Sequence, residues 1–179
     1  MPPETVMVKK DYLRDIRDPI NEVVDELNGI LNHRQKEKYY YGILLSFSLA
    51  EFMLKWITFI EGMWRPATKV AQKDFLLLWD SYQEFFAKTT LYNLIREAFL
   101  LQIIDLDLYK SLDKMRKERN ELVHKLWIEN KRNDFRFLRN KLEFYASIEN
   151  RLVKRFNRIS NKVGIEEIFH YHGIKKLLR

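Results

Sequence analysis

The chain has 179 residues, 46% hydrophobic and 14% aromatic, enough apolar material for one folded domain and too much for a chain disordered by composition. It has no cysteine, which excludes a disulfide framework, a thiolate zinc site and a cysteine nucleophile, and fits a reducing cytoplasm. The net charge of +7 is uneven: residues 131–179 carry 13 Lys or Arg against 5 Asp or Glu, leaving 19 against 20 elsewhere, a surplus that suits either a polyanion partner or a solvated basic helix face.

The opening MPPETVMVKKDYLRD contains no apolar run of the kind a secretory signal needs. A first helix is predicted over 10–34, started or bent at Pro19, with Ile20, Val23, Val24, Leu27 and Leu31 at 3.6-residue spacing on its buried side. A second covers about 36–62. Its run YYYGILLSFSLAEFMLKWITFI has the length of a membrane span, but Glu51 and Lys55 fall in the middle, at about 2.5–3.5 kcal/mol each on insertion scales. At i and i+4 those two make a favourable pair in water, so the expectation is a buried core helix and no membrane.

A third helix is predicted from Pro66 to Lys88, and a fourth, LYNLIREAFLLQII, follows Thr89 and Thr90. The DLD at 105–107 supplies the N-cap of a fifth, which contains SLDKMRKERNELVHKLWIEN. A long basic and aromatic sixth helix over 133–163 stops at Gly164, and 161–179 reads as a docking segment behind a core of about 10–160. No Gly or Pro occurs between Ala67 and Val163, which leaves little room for hairpins. The fold class expected is therefore all-α: an up-and-down helical bundle in a single domain, 1–179, with an additional C-terminal basic helix.

In the fifth helix the apolar stripe Leu112, Met115, Leu122, Leu126 is interrupted by Arg119. Asn120 and His124, at i and i+4, share a face, whereas Arg119 lies about 140° round from His124 and roughly 7.5 Å lower along the axis. Joining them takes the reach of the arginine, a distorted turn, or a second copy of the helix across a dimer axis. The residue types suit metal-independent cleavage of an RNA phosphodiester. Arg119 is a permanent cation with a planar fork for phosphate oxygens, His124 exchanges a proton near neutral pH, and Asn120 orients one of them. The 2′-hydroxyl attacks, and Arg119 stabilises the charged phosphorane. The plainer reading has Arg119 snorkelling outward or paired with Glu118 or Glu51, and His124 purely structural.

An all-helical chain with R-N-x-x-x-H near the start of a late helix resembles the HEPN superfamily, over roughly residues 10–160. The resemblance implies a HEPN-type bundle, a homodimer, and a metal-independent endoribonuclease in a toxin–antitoxin or antiviral defence setting. Arg119 and His124 take the catalytic positions, with Asn120 in the preferred polar slot. It also implies an acidic residue on an earlier helix, matched here by Glu51 in SFSLAEFMLKW. Leu126 stands where one toxin subgroup carries a tyrosine, which argues against neutralisation by tyrosine modification. RNA is the implied substrate, and an antitoxin or nucleotidyltransferase the implied partner. The alternatives are a non-catalytic module of this type that binds a nucleotidyltransferase or nucleotides, and a helical adaptor whose basic face binds nucleic acid or a protein.

The basic sixth helix is the expected grip on RNA, at Arg151, Lys154, Arg155, Arg158 and Lys162. No cofactor is implied. His170 and His172 converge only if extended, and no second cluster completes a metal site around them. The chain also lacks a glycine-rich phosphate loop.

Overall fold

The longest apolar run in the sequence forms the centre of the molecule. In the computed structural model, residues 21–30, 35–64, 74–129 and 135–162 are described, and among them every regular element is helical. α1 covers 21–30. α2, Lys36–Phe59, passes into a π-helical turn, Ile60–Trp64. α3 is Phe75–Ala87, α4 Leu91–Leu100, α5 Leu106–Glu129 and α6 Phe135–Lys162.

α2 is apolar nearly all round, the pattern of a helix enclosed by others. Tyr39, Ile43, Phe47, Met53, Leu54, Trp56 and Ile57 are all buried along it. Each such side chain contributes about 1.5–3 kcal/mol by leaving water, and cutting Leu54 or Ile57 to alanine costs about 2–5 kcal/mol. Lys36–Gly62 has the length and hydropathy to cross a membrane, but 67% of its apolar window is buried within the chain. Glu51 and Lys55 close the ion pair that their spacing predicts, at 2.8 Å.

α2 and α6 run side by side in the same direction, which the contacts at matching levels show. Tyr39 meets the Phe135 ring edge-on at 4.8 Å, and Gly42 lies against Leu142. A Cβ on Gly42 would come within 3.2 Å of Ile30 and 3.3 Å of Leu142, so α1, α2 and α6 approach closely where no side chain intervenes. α5 returns antiparallel to α6. Asp105 meets Arg151 at one end, while Lys114 over Phe144 and Glu118 beside Tyr145 mark successive levels toward the other.

Three helix starts and one stop are decided by capping. The Thr90 side chain accepts from the Asn93 N–H at 3.3 Å at the helix start expected after the two threonines, and Asp105 accepts from the Leu108 N–H at 2.7 Å where the sequence placed a cap. α3 differs from expectation. Asp74 has non-helical backbone and its carboxylate accepts from the Leu77 N–H, so α3 begins at Phe75; the start predicted at Pro66 lies outside the described residues. α4 is also shorter than expected and stops at Leu100. Gln102 takes a left-handed conformation (φ 56°), and the N–H groups of Gln102 and Ile103 bond to the carbonyls of Phe99 and Ala98, each at 2.9 Å. That is a Schellman cap formed without the usual glycine. In α1, Val24, Leu27 and Ile30 are buried, whereas Ile20 and Leu31 lie outside the described residues.

Candidate functional site

The buried stripe of α5 is Leu108, Leu112, Met115 and Leu122, with Arg119 in line between the last two. Arg119 stays on the stripe because its guanidinium lies over the Phe47 ring of α2, 4.4 Å from the centroid. A cation on an aromatic face is worth about 0.5–2 kcal/mol, rising with desolvation. Its Nε is buried and hydrogen-bonds to no described group. The two carboxylates that sequence offered as partners are engaged elsewhere. Glu118 accepts from the Tyr145 hydroxyl and pairs with Lys141, both at 3.1 Å, and Glu51 pairs with Lys55. Among the described residues no carboxylate neutralises Arg119.

Asn120 is exposed beside it. His124 lies in the helical backbone of α5 one turn beyond Asn120, and its side chain is outside the described residues. The relation among the three positions therefore rests on helical register. Glu51 stands one turn beyond Phe47 on α2, so the acidic candidate and the ring that seats Arg119 share a helix face.

The basic residues predicted on α6 do come together. Arg151, Lys154, Arg155 and Arg158 line a groove of about 230 Å³ with Ile103, Ile104, Asp105 and Leu108. A hollow of about 490 Å³ shares Ile104, Asp105 and Arg155 and adds Phe99, Leu100 and Gln102. Arg151 donates to Asp105 at 2.9 Å, and Arg155 to the Gln102 carbonyl at 3.3 Å. The Asp105 carboxyl is held below its ordinary pKa chiefly by the Leu108 N–H, with Arg151 adding to the effect. The Lys162 side chain lies outside the described residues. Leu108, the groove residue on α5, and Arg119 lie eleven residues apart, about 16 Å at 1.5 Å per residue. Sequence grouped these residues by chemistry, and the fold separates them.

A charged residue that sequence reasoning passed over lies at the α2–α6 contact. Glu149 is fully buried on the stripe Leu138, Leu142, Tyr145, Leu152, Phe156. Loss of water raises its carboxyl pKa to about 8, an effect that the Ser46 hydroxyl of α2 eases only in part. Neither side chain reaches hydrogen-bonding geometry with a described partner. The signal that marked Arg119, a charge on an apolar stripe, was present in α6 as well.

Among the described residues no three His, Asp or Glu side chains gather as a metal site, and His170 and His172 lie outside them. No protein-family model matches the chain, and no curated protein or solved structure gives a significant match.

Proposed function

We propose that the protein is a metal-independent endoribonuclease of the HEPN type, homodimeric, with its reacting centre on the second half of α5. The observation that carries this reading is the seat of Arg119. Its charge is kept on an otherwise apolar stripe by a ring face, and no described carboxylate neutralises it. A guanidinium held this way keeps its full charge for a phosphate.

In the proposed reaction the RNA 2′-oxygen attacks the adjacent phosphorus as its proton passes to a base. The bond from phosphorus to the 5′-oxygen then breaks, and that oxygen takes up a proton. His124 serves as base or acid, and two copies of α5 across a dimer axis would supply both roles. Arg119 stabilises the negative charge that builds on the phosphorane oxygens, and exposed Asn120 orients His124 or the phosphate. Glu51 is the acidic contributor from α2; its pairing with Lys55 gives it a positioning part at most.

A second reading is favoured by the same contact: Arg119 is a packing residue of a non-catalytic module, held by Phe47 for the sake of the α2–α5 interface. The two separate in one assay, cutting of single-stranded RNA in excess EDTA. The wild type cuts; Arg119→Ala loses about 10²–10³-fold of the rate and His124→Ala is inactive, while circular dichroism keeps its helical signal. Arg119→Lys retains a cation over the ring but not the fork, and is also impaired if the arginine acts on phosphate. Undiminished cutting by either alanine variant sinks the assignment, and absence of cutting by the wild type favours the module.

A further inference from the structure

Elsewhere several described cations sit on carboxylates, with one or two cations to each. Lys55 pairs with Glu51, Arg116 and Lys117 share Asp113, Arg139 pairs with Glu143, and Lys141 with Glu118. The groove beside α6 departs from this pattern. Arg151, Lys154, Arg155 and Arg158 stand at i, i+3, i+4 and i+7, a single stripe rising about 10.5 Å along the helix. Only one carboxylate, Asp105, lines the groove with them.

Like charges at these spacings repel, so the stripe opposes folding unless a polyanion settles on it. The two inner arginines are positioned in advance. Asp105 holds Arg151, and the Gln102 carbonyl, turned by its left-handed backbone, holds Arg155. The Nε of Arg155 is buried with no acceptor among the described residues. Lys154 and Arg158 are exposed beyond them.

We propose that this stripe binds the sugar–phosphate backbone of single-stranded RNA, at a site separate from the cleavage centre. A linear run of charge calls for a ligand with several negative groups along its length, and arginine forks match phosphate oxygens. The flank formed by half-buried Phe99 and by Leu100, which is 66% exposed, offers apolar surface to an unpaired base; a duplex, with its bases stacked inside, would not use it. The polyanion follows from the groove alone, whereas its identity as RNA rests on the cleavage reading.

The test uses the full chain carrying His124→Ala and a fluorescein-labelled oligouridylate of about 20 nucleotides, longer than a single-strand site on one small fold. Anisotropy titrations across a salt series should give a linear fall of log affinity with log salt. Lys154→Ala and Arg158→Ala should each lower that slope by about 0.7. Lys154→Glu with Arg158→Glu should weaken binding roughly tenfold or more at low salt. Should that pair disturb the helical signal, Lys154→Gln with Arg158→Gln replaces it and is read by the same slope. Unchanged affinity and slope in the folded variants overturn the proposal, as does displacement of the RNA by polyglutamate of equal charge as readily as by unlabelled RNA. Charge-dependent RNA binding by a wild type that never cuts keeps the groove and removes the cleavage reading. Cutting by the wild type, with groove variants that bind unchanged, does the reverse.

Discussion

Two arginine sites in this protein are built from different materials. Arg119 rests on a hydrocarbon face, the ring of Phe47, with no described counter-charge. Arg151 and Arg155 rest on oxygens, the Asp105 carboxylate and the Gln102 carbonyl. A ring fixes a guanidinium by its face and leaves its edge donors unspent, whereas an oxygen partner takes up a donor and, when charged, part of the field. The first arrangement suits one concentrated charge at one point. The second suits a row of partly committed charges whose effect is collective and sensitive to salt.

The largest effect expected from breaking the contrast is on chemistry. Arg119→Ala should lower RNA cleavage about 10²–10³-fold, the usual cost of removing one transition-state donor. Arg151→Ala, at the other site, should act through affinity and lose its effect as salt rises. Rates measured at subsaturating and at saturating RNA, in low and high salt, check this, and a loss from Arg119→Ala that saturation or salt removes would mean that the two sites are not different in kind.

Next comes Glu149, the buried carboxyl with neither ring nor described oxygen to hold it. The folded chain keeps its proton up to about pH 8, whereas the unfolded chain releases it near pH 4.3. Across that window the native state binds more protons, so stability present below the unfolded value is lost as pH rises, by up to about 1.4 kcal/mol per pH unit. Glu149→Gln should remove that loss. Urea unfolding at both ends of the window measures it, and an equal decline in the variant would show that other groups carry the dependence.

Phe47→Leu addresses the ring directly. It keeps an apolar side chain in the core but removes the face under Arg119, and should destabilise by about 1–3 kcal/mol from packing and the lost cation–π contact together. A Phe47→Leu, Arg119→Met double-mutant cycle in thermal unfolding isolates the contact, and a coupling of zero would deny that the ring seats the arginine. The smallest effect concerns the oxygen side. Gln102→Gly relieves a left-handed backbone that costs a non-glycine residue about 1–2 kcal/mol, offset in part by glycine entropy, for a net gain of roughly 0.5–1 kcal/mol. A lower midpoint in urea would mean that the Gln102 side chain holds the turn.

Much of the fold was readable because α2 is apolar beyond any amphipathic requirement and α5 and α6 repeat at helical spacing. The Asp105 cap was readable from DLD, and the start of α4 from the threonines before it. The end of α4 was not, because its cap uses glutamine where the rule looks for glycine. The start of α3 was missed because Pro66, a good first-turn residue, outweighed Asp74. At the candidate site, Arg119 stood out as a charge on a stripe, but its partner did not. Phe47 belongs to another helix, and attention to carboxylates pointed to Glu118 and Glu51 instead. Glu149 carried the same mark on α6 and was hidden by the basic residues around it, which drew the reading toward charge on the surface.

The central claim is one of chemistry, and the ends of the cut RNA test it most directly. Attack by the 2′-hydroxyl in excess EDTA leaves a 2′,3′-cyclic phosphate on one fragment and a 5′-hydroxyl on the other, and mass spectrometry of the products from wild-type protein should find both, with neither formed by His124→Ala. Fragments ending in 3′-hydroxyl and 5′-phosphate, or the same cyclic ends from His124→Ala, would contradict it.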